Sequence, residues 1–138
     1  MAPAMQVFVY GTLTDPDRAA AVLEADTHQF AGRATLEGLH RVEGQYPTLA
    51  PGGSVEGRLL EVDEAGLEAL DAYEGVDRGL YVRCAVPRAD EAGSVWTYIG
   101  DPSRLGLEER VSWPGEGPFR SRVESVIEKT TTVRMDHE

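Results

Sequence analysis

Gln6-Val7-Phe8-Val9-Tyr10-Gly11-Thr12-Leu13-Thr14-Asp15-Pro16-Asp17 holds a strand, a bend and a helix start in one short segment. Gln6–Tyr10 is a β-branched and aromatic run that stops at Gly11, as a buried strand does. Thr14 or Asp15 offers an oxygen to cap a helix, and Pro16 suits its first position, so an alanine-rich helix is predicted from about Asp17 to Glu24. Outward from this unit, Gln29–Val62 is strand-like and interrupted at Gly32, Gly38, Gly44 and a predicted turn at Pro51-Gly52-Gly53, with Val55–Val62 its clearest strand. Asp63 caps a short helix running to about Tyr73 and stopped by Gly75. Leu80–Pro87 and Ser94–Ile99 read as antiparallel strands joined by the polar turn Arg88–Gly93, while Phe119–Val133 fits a helix, a strand or a docking tail. The fold class is α+β, with strands outnumbering two or three helices.

Composition narrows the function. The 138 residues suffice for one domain, and hydrophobic residues at 41% suffice for a core. No run reaches the roughly 20 apolar residues of a membrane helix, and Met1–Met5 is too short for a secretory signal, so a cytoplasmic protein without membrane contact is expected. Twenty-four acidic against 13 basic residues give a net charge of −11, which repels phosphate backbones and argues against nucleic-acid binding. Lys129 is the only lysine. Such a surface suits concentrated salt, where self-repulsion is screened, or reflects base-composition bias; stability rising with salt would mark the first. A single Cys84 excludes an internal disulfide and leaves a cysteine-based zinc site without ligands, and His28, His40 and His137 form no constellation. No metal or cofactor is expected.

Glu74 is the sharpest chemical signal. With Leu67 at the origin and about 100° per residue, Leu70 falls near 300° and Glu74 near 340°, whereas Glu64, Glu68 and Asp71 fall between about 40° and 100° on the polar flank. Glu74 thus lies between two leucines on the core-facing side, in the last turn, where the helix dipole disfavours an anion by roughly 0.3–1 kcal/mol. Burial and dipole both raise its pKa towards the range of a general acid/base. Early fraying of the helix would instead leave it solvated. The Gly11 bend beside a helix start either presents N–H groups to a carboxylate or oxyanion or is an ordinary strand-to-helix turn. It lacks the Walker lysine and the dinucleotide glycine pattern.

Val7-Phe8-Val9-Tyr10-Gly11-Thr12-Leu13 resembles the Tyr-Gly-Ser/Thr-Leu signature of the gamma-glutamylcyclotransferase-like family. Leu70-Asp71-Ala72-Tyr73-Glu74-Gly75 followed by Leu80-Tyr81-Val82-Arg83 resembles its second block, and Tyr46-Pro47 and Val55-Glu56-Gly57 agree with the short gamma-glutamylamine cyclotransferase-like branch. The likeness covers roughly residues 6–100, taken as the domain over 1–100, with 101–138 a C-terminal extension expected to pack on it. The resemblance implies a compact, partly closed β-barrel flanked by helices. It implies cyclisation of a gamma-glutamyl amine or peptide to 5-oxoproline with release of the amine and no cofactor. It also implies that Tyr10, Gly11, Thr12 and Leu13 hold the gamma-glutamyl group, that Glu74 is the acid/base, and that Tyr81 and Tyr98 belong to the cavity wall.

The residue chemistry accommodates this activity. The substrate's amino group is mostly protonated near neutrality, so a base must deprotonate it and an acid must protonate the leaving nitrogen; one carboxyl of raised pKa serves both. A binding module without turnover, and removal of a gamma-glutamyl protecting group from a biosynthetic intermediate, are the competing readings. Tyr81 and Arg83 share a strand face, so both border the cavity or both face solvent. Trp96 is read as core packing, Cys84 as a buried hydrophobe, Trp113 as a surface loop anchor, and Arg120, Arg122 and Arg134 as solvated charges rather than a grip on an acidic group. Monomer and homodimer both stay open, as do a lid, a dimer contact or a disordered tail for 101–138.

Overall fold

A computed structural model describes residues 5–23, 28–44, 46–89 and 92–136, and for Thr12 the backbone alone. The predicted helix end at Glu24, parts of the Arg88–Gly93 turn, Met1–Ala4 of the Met1–Met5 stretch, and His137 lie outside the described residues. The first segment forms as its composition dictates: β1 (Met5–Val9), a 3-10 turn at Thr12–Thr14, and α1 (Pro16–Val22), with the Asp15 carboxylate accepting the Asp17 amide at 3.0 Å and Pro16 opening the helix. After it come β2 (His28–Val42), β3 (Thr48–Val62), α2 (Glu64–Tyr73), a 3-10 turn at Val76–Arg78, β4 (Tyr81–Pro87), β5 (Ser94–Gly100), α3 (Pro102–Leu105), α4 (Phe119–Thr130) and β6 (Thr132–Met135).

The strands form one mixed sheet in the order β4-β5-β1-β3-β2-β6, in which β1 runs parallel to β5 and the other pairs are antiparallel. Its two edges meet where Arg88 bridges Val133 and the Ala89 amide donates to the Val133 carbonyl at 2.8 Å, so the curled sheet is a partly closed barrel, as expected.

β1 sits mid-sheet and is covered on both faces, which is why its sequence is apolar without alternation. Phe8 and Tyr10 join the barrel interior with Leu36, Leu59 and Ile99, while Val7 and Val9 join a second cluster with Leu67 and Leu70 of α2. The C-terminal segment enters the first cluster through Trp113, Val123, Ile127 and Val133.

Two readings are corrected here. Pro51-Gly52-Gly53 is not a turn: it lies inside β3, where the β2–β3 pairing skips from Glu37↔Ser54 to Leu39↔Pro51. Gly38, Gly52 and Gly53 all take positive φ at that skip, which glycine accommodates without a Cβ clash, and the hairpin bends there and continues to a connection after Val42. Trp113 is not a surface anchor. It is 3% exposed and packs edge-on against Phe119, with ring centroids 6.0 Å apart, because α4 folds back over the barrel interior. Phe119–Val133 is a helix and then a strand, the change falling at Thr131, whose amide caps α4 on Ile127.

Candidate functional site

The ends of β1 and β5 and the start of β4 meet at one end of the sheet, because β5 runs parallel to β1 and Tyr81 pairs with Gly100. Tyr10, Tyr98 and Tyr81 therefore converge. A cavity of about 450 Å3 opens there, and its wall includes these three tyrosines with Gly11, Leu13 and Glu74. The structure thus gathers the sequence-predicted residues whose side chains are described; Thr12 lies between them in the chain, its side chain outside the description.

Glu74 is the residue that ends α2. It has helical backbone angles, its amide bonds to the Leu70 carbonyl at 2.9 Å, and Gly75 then takes φ +69 and turns the chain away. The helix therefore holds to its last residue. Leu67 and Leu70 are buried on the same side, and Glu74 is half-buried within the cavity. Burial pushes its carboxyl up to about 7. The same charge disfavours ionisation of Tyr10, Tyr81 and Tyr98, so it faces all three phenols.

Burial is the largest cause holding those phenols neutral. Each hydroxyl proton is also committed: Tyr10 donates to the Tyr98 carbonyl at 2.6 Å, Tyr81 to the Pro47 carbonyl at 2.7 Å, and Tyr98 to Asp71 Oδ1 at 2.7 Å. The tyrosines therefore shape the wall without having a proton to give.

The bend is pinned at both ends. Arg41 Nη1 donates to the Tyr10 carbonyl at 2.6 Å, Arg58 Nη1 to the Thr14 carbonyl at 3.0 Å, and the Thr14 hydroxyl and amide both return to the Gly11 carbonyl, at 2.7 and 3.1 Å. Gly11 is not there for conformational freedom, since its φ is not positive. A Cβ would meet Pro47 Cγ at 3.5 Å, an ordinary contact, and would project into the space between bend and hairpin. The glycine keeps that space open.

Other assignments move. Arg83 does not line the cavity: it pairs with Asp71 at 3.5 Å and lies over the half-buried Trp96 ring at 4.5 Å. Asp71, placed on the polar flank by the helical wheel, is half-buried between Arg83 and Tyr98 because β4 and β5 cover that flank. Arg120 and Arg122 donate to the Arg83 and Trp113 carbonyls, and Arg134 pairs with Glu37 and Asp136, so none reaches the cavity. Sequence reasoning missed Arg41, Arg58 and Asp71; Asp71 sits inside the Leu70–Gly75 block, and its spacing three residues before Glu74 was the available signal. Cys84 is buried, its thiol pushed up to about 11 by desolvation. No group of three or more metal-ligating side chains occurs among the described residues, and no helix of theirs is long and apolar enough to cross a membrane.

A sequence model of the family described as "Gamma-glutamyl cyclotransferase, AIG2-like" matches residues 7–115. The chain belongs to this family. AIG2-like relatives include Protein AIG2 A of Arabidopsis thaliana, 28% identical over 94% of this chain and 78% of that protein. A solution structure of another Arabidopsis thaliana protein is 32% identical with a TM-score of 0.58, covering 93% of this chain and 86% of that one. A crystal structure of an AIG2-like protein from Mus musculus is 28% identical with a TM-score of 0.60, covering 85% of this chain and 92% of that one. The family is one of cyclotransferases in general, and the α+β barrel described above is its fold.

Proposed function

We propose that this protein cyclises a gamma-glutamyl amine or peptide to 5-oxoproline and releases the amine, with Glu74 as the sole general acid/base. The carrying observation is a half-buried carboxyl raised to about 7 in a cavity shared with the Tyr10–Leu13 bend. A base with that pKa is substantially ionised at neutral pH yet a competent proton donor.

The gamma-glutamyl unit folds against the bend, with its α-ammonium towards Glu74. Glu74 takes one proton; the freed amine attacks the gamma-carbonyl carbon, and charge develops on the carbonyl oxygen. Amide N–H groups of Gly11–Leu13 stabilise that oxygen or the substrate carboxylate. Glu74 passes that proton to the leaving nitrogen as the C–N bond breaks, then takes the second proton from the ring nitrogen and hands it to the departing amine, so 5-oxoproline and an ammonium leave and Glu74 is again ionised. Attack within one molecule lets positioning supply much of the rate. The apolar and phenolic wall excludes water from a reaction that would otherwise compete with hydrolysis.

The test incubates the protein with gamma-glutamyl dipeptides, gamma-glutamylamines and glutathione and measures 5-oxoproline. Glu74→Gln abolishes product while retaining fold and ligand binding, and wild-type kcat/KM falls as pH drops below about 7. Equal turnover by Glu74→Gln overturns the mechanism. Specific binding with no product from the wild type favours the binding-module alternative.

A further inference from the structure

The cavity wall carries two charges that the cyclisation chemistry leaves unused. Arg18 lies in α1, the helix that follows the bend, and Arg78 in the 3-10 turn that follows Glu74 and Gly75; both line the cavity and both are exposed. Elsewhere the guanidiniums of Arg41, Arg58, Arg110 and Arg120 donate to backbone carbonyls, and those of Arg83 and Arg134 pair with carboxylates. Among the described residues neither Arg18 nor Arg78 has an ion-pair or side-chain hydrogen-bond partner. Nor are they counter-ions of Glu74, whose pKa is raised by burial and lowered by neither. Among the described residues Glu74 is the one acidic side chain in that wall, which thus sets two cations against one anion in a chain of net charge −11. An anionic ligand approaching so negative a surface needs local positive charge to dock.

The position of the arginines says which part of a substrate they meet. Tyr10, Tyr81 and Tyr98 are buried and offer no donor to a ligand, and the reacting unit must lie among them, in reach of Glu74. The remainder projects to the rim, where the exposed lining is Arg18, Arg78, Tyr46 and Tyr73. We infer that Arg18 and Arg78 form a leaving-side subsite selecting gamma-glutamyl substrates whose departing amine carries an anionic group. This rests on the cyclotransferase reading and adds that cationic departing amines are disfavoured. Guanidinium geometry suits a carboxylate, held by paired N–H donors.

The experiment compares kcat/KM for 5-oxoproline formation from gamma-glutamylalanine, from its neutral carboxamide analogue, and from the cationic mono-gamma-glutamyl amide of ethylenediamine. Wild type, Arg18→Gln, Arg78→Gln and the double variant are measured, so intrinsic differences in leaving-group reactivity cancel between proteins. Each substitution lowers the anionic-to-neutral ratio by roughly fivefold, the upper end for a solvent-exposed pair, and raises the cationic-to-neutral ratio. Ratios unchanged by the substitutions overturn the subsite while leaving the cyclotransferase reading intact. Equal losses on all three substrates also overturn it, because the arginines would then hold the common gamma-glutamyl carboxylate. Absence of 5-oxoproline from every substrate with the wild type overturns the underlying reading, and the subsite with it.

Discussion

Burying Glu74 carries a stability cost that a single substitution exposes. Its carboxyl is raised from an ordinary 4.5 to about 7, so the folded protein holds that proton more tightly than the unfolded chain. The destabilisation is absent below about pH 4.5, grows as pH rises through the window up to about 7, and is complete above it. At about 1.4 kcal/mol per unit, the full effect is about 3 kcal/mol. Glu74→Gln keeps the shape and removes the ionisation, so it stabilises the protein above pH 7 by up to about 3 kcal/mol, or about 10 °C in melting temperature for a chain of this size. At pH 4.5 the two proteins converge, since both carry a neutral side chain. Denaturant midpoints measured at pH 4.5, 6 and 8 give the difference directly, because every other carboxyl titrates alike in both. A stability difference that does not change with pH refutes the burial of this charge, and with it the case for Glu74 as a base poised near neutrality.

Three further outcomes are expected. Asp71→Ala frees the Tyr98 hydroxyl and leaves Arg83 without its carboxylate, costing roughly 1–3 kcal/mol in denaturant unfolding and raising KM more than it lowers kcat; an unchanged KM would show that the cavity wall does not depend on that bond. Trp113→Ala removes a buried ring from the barrel interior and costs about 3–5 kcal/mol, a loss below 1 kcal/mol being incompatible with its burial. Cys84, buried and with its thiol pushed up to about 11, reacts with a thiol-specific disulfide reagent at pH 8 only at the rate of unfolding, so rapid labelling of the native protein would contradict its placement.

Local signals in the sequence carried a large part of this architecture. The Gln6–Asp17 unit was readable because each piece is set by neighbours in the chain: an apolar run, a capping aspartate, a proline at the first helical position. Glu74 was readable because helical periodicity places it beside Leu67 and Leu70 whatever the rest of the fold does. Pro51-Gly52-Gly53 misled because the same glycines that close a tight turn also permit a bend within a long ladder, and only the distant pairing of Leu39 with Pro51 separates the two. Asp71 and Trp113 misled for a related reason. A helix has two flanks, and whether the polar one meets water or β5 is decided by strands added later; a tryptophan among Ser112, Pro114 and Gly115 looks like loop until α4 covers it. The arginine clamps on the bend join residues 31 and 44 positions apart, beyond any local pattern.

The bent hairpin divides labour in a way that bears on how members of this family diversify. β2 and β3 are anchored by long pairing to the sheet, yet beyond the bend their connection delivers Tyr46 and Pro47 to the cavity mouth. That tip is remote in sequence from both the amide bend and the helix end that supplies the carboxyl. On the proposed cyclotransferase reading, exchanging it between homologues would retune which amines are accepted while leaving Glu74 and the Tyr10–Leu13 bend in place, making the connection an interchangeable cassette on a fixed frame.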